Sequence, residues 1–206
     1  MKRLLILSPK GGSGKSTMAS NIAVAAVHEG LSVATLDTDR QQTLTRWSER
    51  RPDDVLQIPH AFVSLGDVLE TSMDVDTIDL LVIDTPTAVE EYPEAAKMLV
   101  LQANLVLIPT QPSPVDVESV VQAMRLVRTL RRHGIFLLNR VAPRVRETAA
   151  TRRELGHHGD VCATDVAHTV EVQRAYSHGR GVLEVKGKVG EDIRAVWQEV
   201  RRRLDV

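Results

Sequence analysis

Cysteine is nearly absent. The single residue Cys162 among 206 rules out an intrachain disulfide and points to a reducing compartment. One thiol cannot supply the paired thiolates of a structural zinc site or an iron–sulfur cluster, so Cys162 reads as a small core residue. Aromatics make up only 3% of the chain, and the apolar content of 43% is ordinary, which suits neither disorder nor a fibre. No apolar run approaches the length of a membrane span. The first residues lead straight into an apolar run, Leu4 to Leu7, which leaves no room for a signal peptide. The expected location is the cytoplasm. His157 and His158 are adjacent but have no evident third ligand, so they read as surface residues rather than a metal site.

The length suits one domain, residues 1–206, with a sizeable core. Net charge is −1, but it is unevenly spread. Residues 1–100 carry 9 Lys and Arg against 15 Asp and Glu, a balance of −6. Residues 101–206 carry 17 against 12, a balance of +5. A basic surface in the second half could meet a polyanion.

Short apolar runs alternate with helical patterns. Strands are expected at Arg3–Leu7, Ser32–Leu36, Leu56–Ile58, Leu80–Ile83, Leu105–Ile108 and Phe136–Leu138. Their continuous apolar character suits strands buried on both faces. Helices are expected at Ser16–Glu29, Gln41–Glu49, Leu65–Thr71, Glu94–Leu101, Val115–Arg132, Glu147–Leu155 and Asp192–Leu204, with Gly30 and Gly134 as stops. The pattern predicts an α/β fold: a doubly wound, mainly parallel sheet flanked by helices. Ligands of such sheets bind beyond the carboxyl ends of the strands.

The loop that leaves the first strand falls there. It reads Lys10-Gly11-Gly12-Ser13-Gly14-Lys15-Ser16-Thr17. Glycines let successive N–H groups converge on one anion. The following helix aims its free N–H groups and positive dipole end at the same point. Lys15 supplies charge to the β- and γ-phosphates, and Ser16 offers its hydroxyl to Mg²⁺. The common P-loop pattern wants a glycine five residues before Gly14, where this chain has Pro9.

The segment instead resembles the deviant Walker A box of the ParA/MinD ATPases, whose hallmark is an extra lysine at the head of the loop, here Lys10. The resemblance implies a P-loop NTPase of the deviant Walker A type. It implies ATP and Mg²⁺ as cofactors, hydrolysis that is weak alone, and an ATP-sandwich homodimer in which Lys10 reaches the partner's nucleotide. The catalytic set would be Lys10, Lys15 and Asp39.

Further segments extend the resemblance. Asp37-Thr38-Asp39 closes the second strand. In the family the second carboxylate, here Asp39, orients the attacking water, and the first, Asp37, supports Mg²⁺ and its waters. Turn formers and helix caps look the same. The family continues with Pro-Gln, whereas Arg40 stands here before Gln41. Leu80–Asp84 is an apolar strand ending in Asp, the Walker B pattern, so Asp84 joins Ser16 and Asp37 as the metal set. Pro112-Ser113-Pro114 and Asp116 open a long helix. In relatives this loop packs beside the base, although a purely structural turn reads the same. The likeness is to short ParA proteins of the ParF type and covers essentially the whole chain. Because the chain starts at the first strand, it is expected to lack an operator-reading domain.

The second half should carry the output. Arg140, Arg144, Arg146, Arg152, Arg153 and Arg174 are clustered without base-reading aromatics, which suits contact with the phosphates of nonspecific DNA. A solvated arginine-rich helix would carry the same residues. In the resembling partition proteins, a ParB/ParG-like adaptor stimulates hydrolysis and the dimer leaves DNA, moving a plasmid, a chromosome region or a protein cargo. Such a protein would be nucleoid-associated. MinD relatives instead bind membrane through a C-terminal amphipathic helix. Ile193, Val196, Trp197, Val200 and Leu204 share one face here, but a core-packing helix has the same spacing and is commoner. A metabolic phosphotransferase is the third alternative, and Lys10 counts against it.

Overall fold

The computed structural model describes residues 1–68, 77–142 and 146–206. Seven parallel strands form one sheet: β1 (Lys2–Ile6), β2 (Val33–Asp37), β3 (His60–Phe62), β4 (Leu80–Asp84), β5 (Leu105–Thr110), β6 (Gly134–Leu138) and β7 (Asp160–Val161). Their spatial order is β3-β2-β4-β1-β5-β6-β7. The helices are α1 (Lys15–His28), α2 (Thr43–Glu49), α3 (Pro93–Gln102), α4 (Pro114–Thr129), α5 (Arg146–Gly156), α6 (Val170–Ser177) and α7 (Val189–Leu204).

Strand periodicity divides the core in two. Leu4 and Ile6 face a cluster that includes Met18, Ile22, Val196 and Trp197. Leu5 and Leu7 face the opposite cluster, with Leu99, Val120, Met124 and Phe136. Every residue of β4 and β5 is buried, as a sheet covered on both faces requires. β1 lies between β4 and β5. The loop after β1 therefore opens at the point where the strand order reverses, with the carboxyl ends of β2, β4, β5 and β6 around it.

Three local expectations are corrected. The third strand is His60–Phe62, not Leu56–Ile58. Pro59 has no N–H to give a ladder, and pairing starts only where its carbonyl accepts from Thr35 N at 2.9 Å. The helix expected at Leu65–Thr71 begins as a turn, closed by Asp67 N donating to Ser64 O at 2.9 Å, and residues 69–76 lie outside the described set. Gly134 does not stop α4. It is the first residue of β6, and a Cβ there would lie 2.9 Å from Met124 Sδ. Leu130 and left-handed Arg131 (φ 55°) end α4 instead.

The sequence reading missed α6 and β7. α6 has eight residues, with Val170 59% exposed, and its face rests on Val172, Ala175 and Tyr176. Thr169 caps it by accepting from Val172 N. The last helix starts at Val189, ahead of Asp192.

Candidate nucleotide site

The loop from Ser8 to Gly14 is shaped by two left-handed glycines, Gly12 (φ 75°) and Gly14 (φ 91°). Gly14 is required twice over: any side chain there is conformationally strained, and a Cβ would sit 2.2 Å from Asn139 Nδ2. That amide donates to Ser13 O at 2.7 Å, pinning the loop to the end of β6. Gln111 Nε2 donates to Gly12 O at 3.1 Å, pinning it to the end of β5. Gly14 begins α1 without a side-chain cap, and no carboxylate stands in the first turn. The N–H groups of Lys15, Ser16 and Thr17 are thus left to an anion, with the helix dipole behind them.

The two lysines face different ways. Lys15 is only 7% exposed. Its Nζ donates to Lys10 O at 3.4 Å and to Thr87 Oγ1 at 3.2 Å. Burial holds its pKa below the usual lysine value, against the opposing pull of the Asp84 and Asp39 carboxylates. Lys10 is outward, its side chain 30% exposed, with Nζ 3.5 Å from Asp116 Oδ1 in the first turn of α4.

Asp84 ends β4 fully buried. Neither carboxylate oxygen completes a hydrogen bond of normal geometry among the described residues, although the Ser16 hydroxyl interacts with the carboxylate. Burial pushes its pKa up to about 7; the Ser16 hydroxyl and Lys15 favour the charged form, while Asp37 and Asp39 oppose it. A buried carboxylate beside a serine hydroxyl and a phosphate cradle is the donor set of a hydrated divalent cation. Asp84 and Ser16 therefore fit Mg²⁺.

Asp37 has other work. Its Oδ1 accepts from Asp39 N at 2.9 Å, and its Oδ2 accepts from Thr45 N at 2.9 Å and Thr45 Oγ1 at 3.0 Å. It fixes the Asp39 loop and fastens the first turn of α2 from outside that helix, whose N-cap is Gln42. Asp39 is half-buried and lines a cavity of about 170 Å³ with Pro86 and Tyr92. Its Oδ1 accepts from Gln41 N at 2.8 Å. Arg40, in the place of the family's proline, carries its guanidinium to 5.9 Å from the Tyr92 ring centroid.

A larger cavity, about 420 Å³, opens beside the loop. Thr17, Asn139, Arg140, His168 and Tyr176 are among its lining residues. None of Pro112, Ser113 or Asp116 lines it. Their loop meets the phosphate loop instead, through Gln111 and the Lys10–Asp116 pair. Gln111, Thr87, Asn139 and Tyr176 were all missed from the sequence. Asn139-Arg140, a polar pair closing an apolar strand, was the signal that could have found the cavity.

The expected basic cluster is divided. Arg140 lines the cavity beside the loop. Arg144 lies outside the described residues, and Arg146 opens α5. Arg152 is bound to Asp165 and to Cys162 O. Arg153 and Arg174 are exposed, and Arg174 shares a cavity of about 350 Å³ with His178, Arg180, Lys186 and Glu171. On α7, Ile193, Val196, Trp197, Val200 and Leu204 are all 0–2% exposed, so the face a membrane would need is consumed in the core. Among the described residues no helix is long and apolar enough to cross a membrane, and no cluster of metal-binding side chains of three or more occurs. Cys162 is buried, its thiol pushed up to about 12 by burial, which leaves it inert.

Similarities to known proteins converge on one group. The CobQ/CobB/MinD/ParA nucleotide binding domain matches residues 4–182. The maintenance of carboxysome distribution protein A of Gloeobacter kilaueensis is 30% identical over 203 residues, covering 97% of this chain and 92% of its own length. Protein ParA of Rhizobium radiobacter is 26% identical, over 95% of this chain and 91% of its own. The cell division ATPase MinD of Pyrococcus furiosus superposes with a TM-score of 0.79 over 98% of each chain, at 17% identity.

Proposed function

This chain belongs to the CobQ/CobB/MinD/ParA nucleotide-binding family, among its partition and positioning ATPases, and we propose that it is an ATP-switched dimer that holds nonspecific DNA and positions a cargo. The observation that carries this reading is the division of labour between the two loop lysines. Lys15 is turned inward, where it can neutralise phosphate charge in its own subunit. Lys10 is held at the outer lip by one part-exposed carboxylate, 3.5 Å away. An exchange of Asp116 for the phosphate of a second subunit would replace one ionic partner of Lys10 with another at this part-exposed lip.

The chain's own residues divide the remaining work. The N–H groups of residues 12–17 hold the phosphates, and Asn139 and Gln111 keep that cradle rigid. Asp84 and Ser16 would hold Mg²⁺, which would offset phosphate charge. Asp39, fixed through Asp37, orients the attacking water from the edge of its small cavity. The 420 Å³ cavity beside Thr17 and Asn139 would take the sugar and base. Arg153 and Arg174 meet DNA phosphates, and pairing two subunits doubles those contacts and steepens the salt dependence. A small adaptor protein stimulates hydrolysis and ends each cycle.

The test is retention on nonspecific duplex DNA with ATP, ADP or no nucleotide across a salt series. Retention with ATP alone, falling steeply with salt, is the expected result. Equal retention in all three states, or none in any, refutes the switch.

A further inference from the structure

Arg140, one of the arginines expected to contact DNA, lies beside the phosphate loop. It follows Asn139, the residue that pins the phosphate loop through Ser13 O. It has left-handed backbone geometry, φ 55°, which is costly for a side chain with a Cβ. Both flanks enforce that conformation. Asn139 N donates to Thr110 O at 2.8 Å, Val141 N donates to Val166 O at 3.0 Å, and Val141 O accepts from His168 N at 3.0 Å. The chain cannot relax at Arg140 without breaking a sheet edge. Arg131 takes the same φ of 55° merely to end α4, so the conformation of Arg140 gains meaning only from the contacts its side chain makes.

Its side chain is directed toward the loop. A Cβ built on Gly12 would stand 3.7 Å from Arg140 Nη1. The same residue lines the 420 Å³ cavity together with Thr17 and Asn139. Its charge is uncommitted, with no carboxylate partner among the described residues, whereas Arg51, Arg152, Arg180, Arg201 and Arg203 are all ion-paired. Arg140 is itself exposed, and its guanidinium stands near Gly12 at the lip of the adjoining cavity.

We infer that Arg140 is a nucleotide-positioning residue that clasps the sugar and first phosphate where they leave the loop, and is not a DNA contact. The inference rests on the nucleotide reading of the site. The clasped part is common to ATP and ADP, so both should depend on Arg140 to the same degree. One charge-assisted contact corresponds to about tenfold in affinity.

The experiment is calorimetric titration of the full chain with ATP and with ADP, each with Mg²⁺ and without DNA. The variants are Arg140→Ala, Arg140→Gly, and Arg194→Ala as a control for the loss of one exposed positive charge. Arg140→Gly relieves the left-handed strain, so its nucleotide-free thermal midpoint should not fall, which separates binding from folding. Both Arg140 variants should bind ATP and ADP about tenfold more weakly, Arg194→Ala should match wild type, and DNA retention at saturating ATP should be unchanged. Undiminished nucleotide affinity, a loss confined to ATP, or a loss of DNA retention at saturating ATP overturns the assignment. Failure of the wild-type chain to bind either nucleotide would instead sink the nucleotide reading, and this inference with it.

Discussion

Asp84→Asn should make the nucleotide-free protein more stable, and increasingly so as pH rises. In the folded chain the carboxyl titrates near 7, and burial is the leading cause. Unfolded, it returns to about 3.8. Between those values the native state binds the proton that the unfolded state has released, so stability falls as pH rises through the window. Above pH 7 the cost is complete, roughly three pKa units or about 4 kcal/mol. The fraction lost between pH 5.5 and pH 8.5 is about 2 kcal/mol, from the same linkage relation. Asparagine carries none of this titration. Its stability margin over wild type should therefore widen by about 2 kcal/mol across that interval, or roughly 4–8 °C in thermal midpoint for a chain of this size. The assay is denaturant unfolding of both proteins at the two pH values, with EDTA and without nucleotide. Taking the difference between the proteins cancels histidines that titrate equally in both. A margin that stays flat with pH refutes the picture of a carboxylate whose charge is penalised by burial.

Three other substitutions test separate parts of the site. Asp39→Ala should leave ATP affinity within a few-fold of wild type, lower turnover by at least about a hundredfold, and let the ATP dimer accumulate on a sizing column; normal hydrolysis would remove Asp39 from its role. Lys10→Ala should bind ATP as a monomer with little change in affinity yet lose ATP-dependent dimerisation by light scattering, and an intact dimer would end the trans role of this lysine. Trp197→Ala should cost about 3–5 kcal/mol in urea unfolding, as for a fully buried large side chain; a small loss joined to lost binding of anionic vesicles would favour a membrane-facing α7.

The phosphate loop, Asp39 and Asp84 could be picked out as candidates because each belongs to a short stretch whose chemistry is contiguous. Leu80 to Asp84 shows both the apolar strand and the carboxylate at its end in five residues. Lys10 to Thr17 shows the turn and the helix start in eight. The strand–helix alternation also carried the sheet, since parallel strands buried on both faces announce themselves as apolar runs. β3 escaped because Pro59 delays pairing by blocking the ladder. α6 escaped because eight residues give barely two turns of periodicity, and its exposed Val170 blurs the pattern.

The illegible part of the site is the part made by the fold. Gln111 and Gly12 are 99 residues apart in sequence, and Asn139 and Ser13 are 126 apart. No local pattern ties them together. Tyr176 is the clearest case. Its hydroxyl donates to Thr43 O at 2.9 Å, at the start of α2. Two residues on, Thr45 donates to Asp37 from both its N–H and its hydroxyl. Trp47, one turn along from Thr43, donates from Nε1 to Arg180 O at 3.2 Å. α2 is seven residues long, too short to be stable alone. It persists because it is fastened to the carboxylate that holds the Asp39 loop at one end and to the α6 region along its side. A hydrogen-bonded route therefore runs from the carboxylate that holds the Asp39 loop, through α2, to the α6 segment that bears Arg174. Sequence spacing could suggest the two ends of that route, but only the packed structure supplies the helix between them.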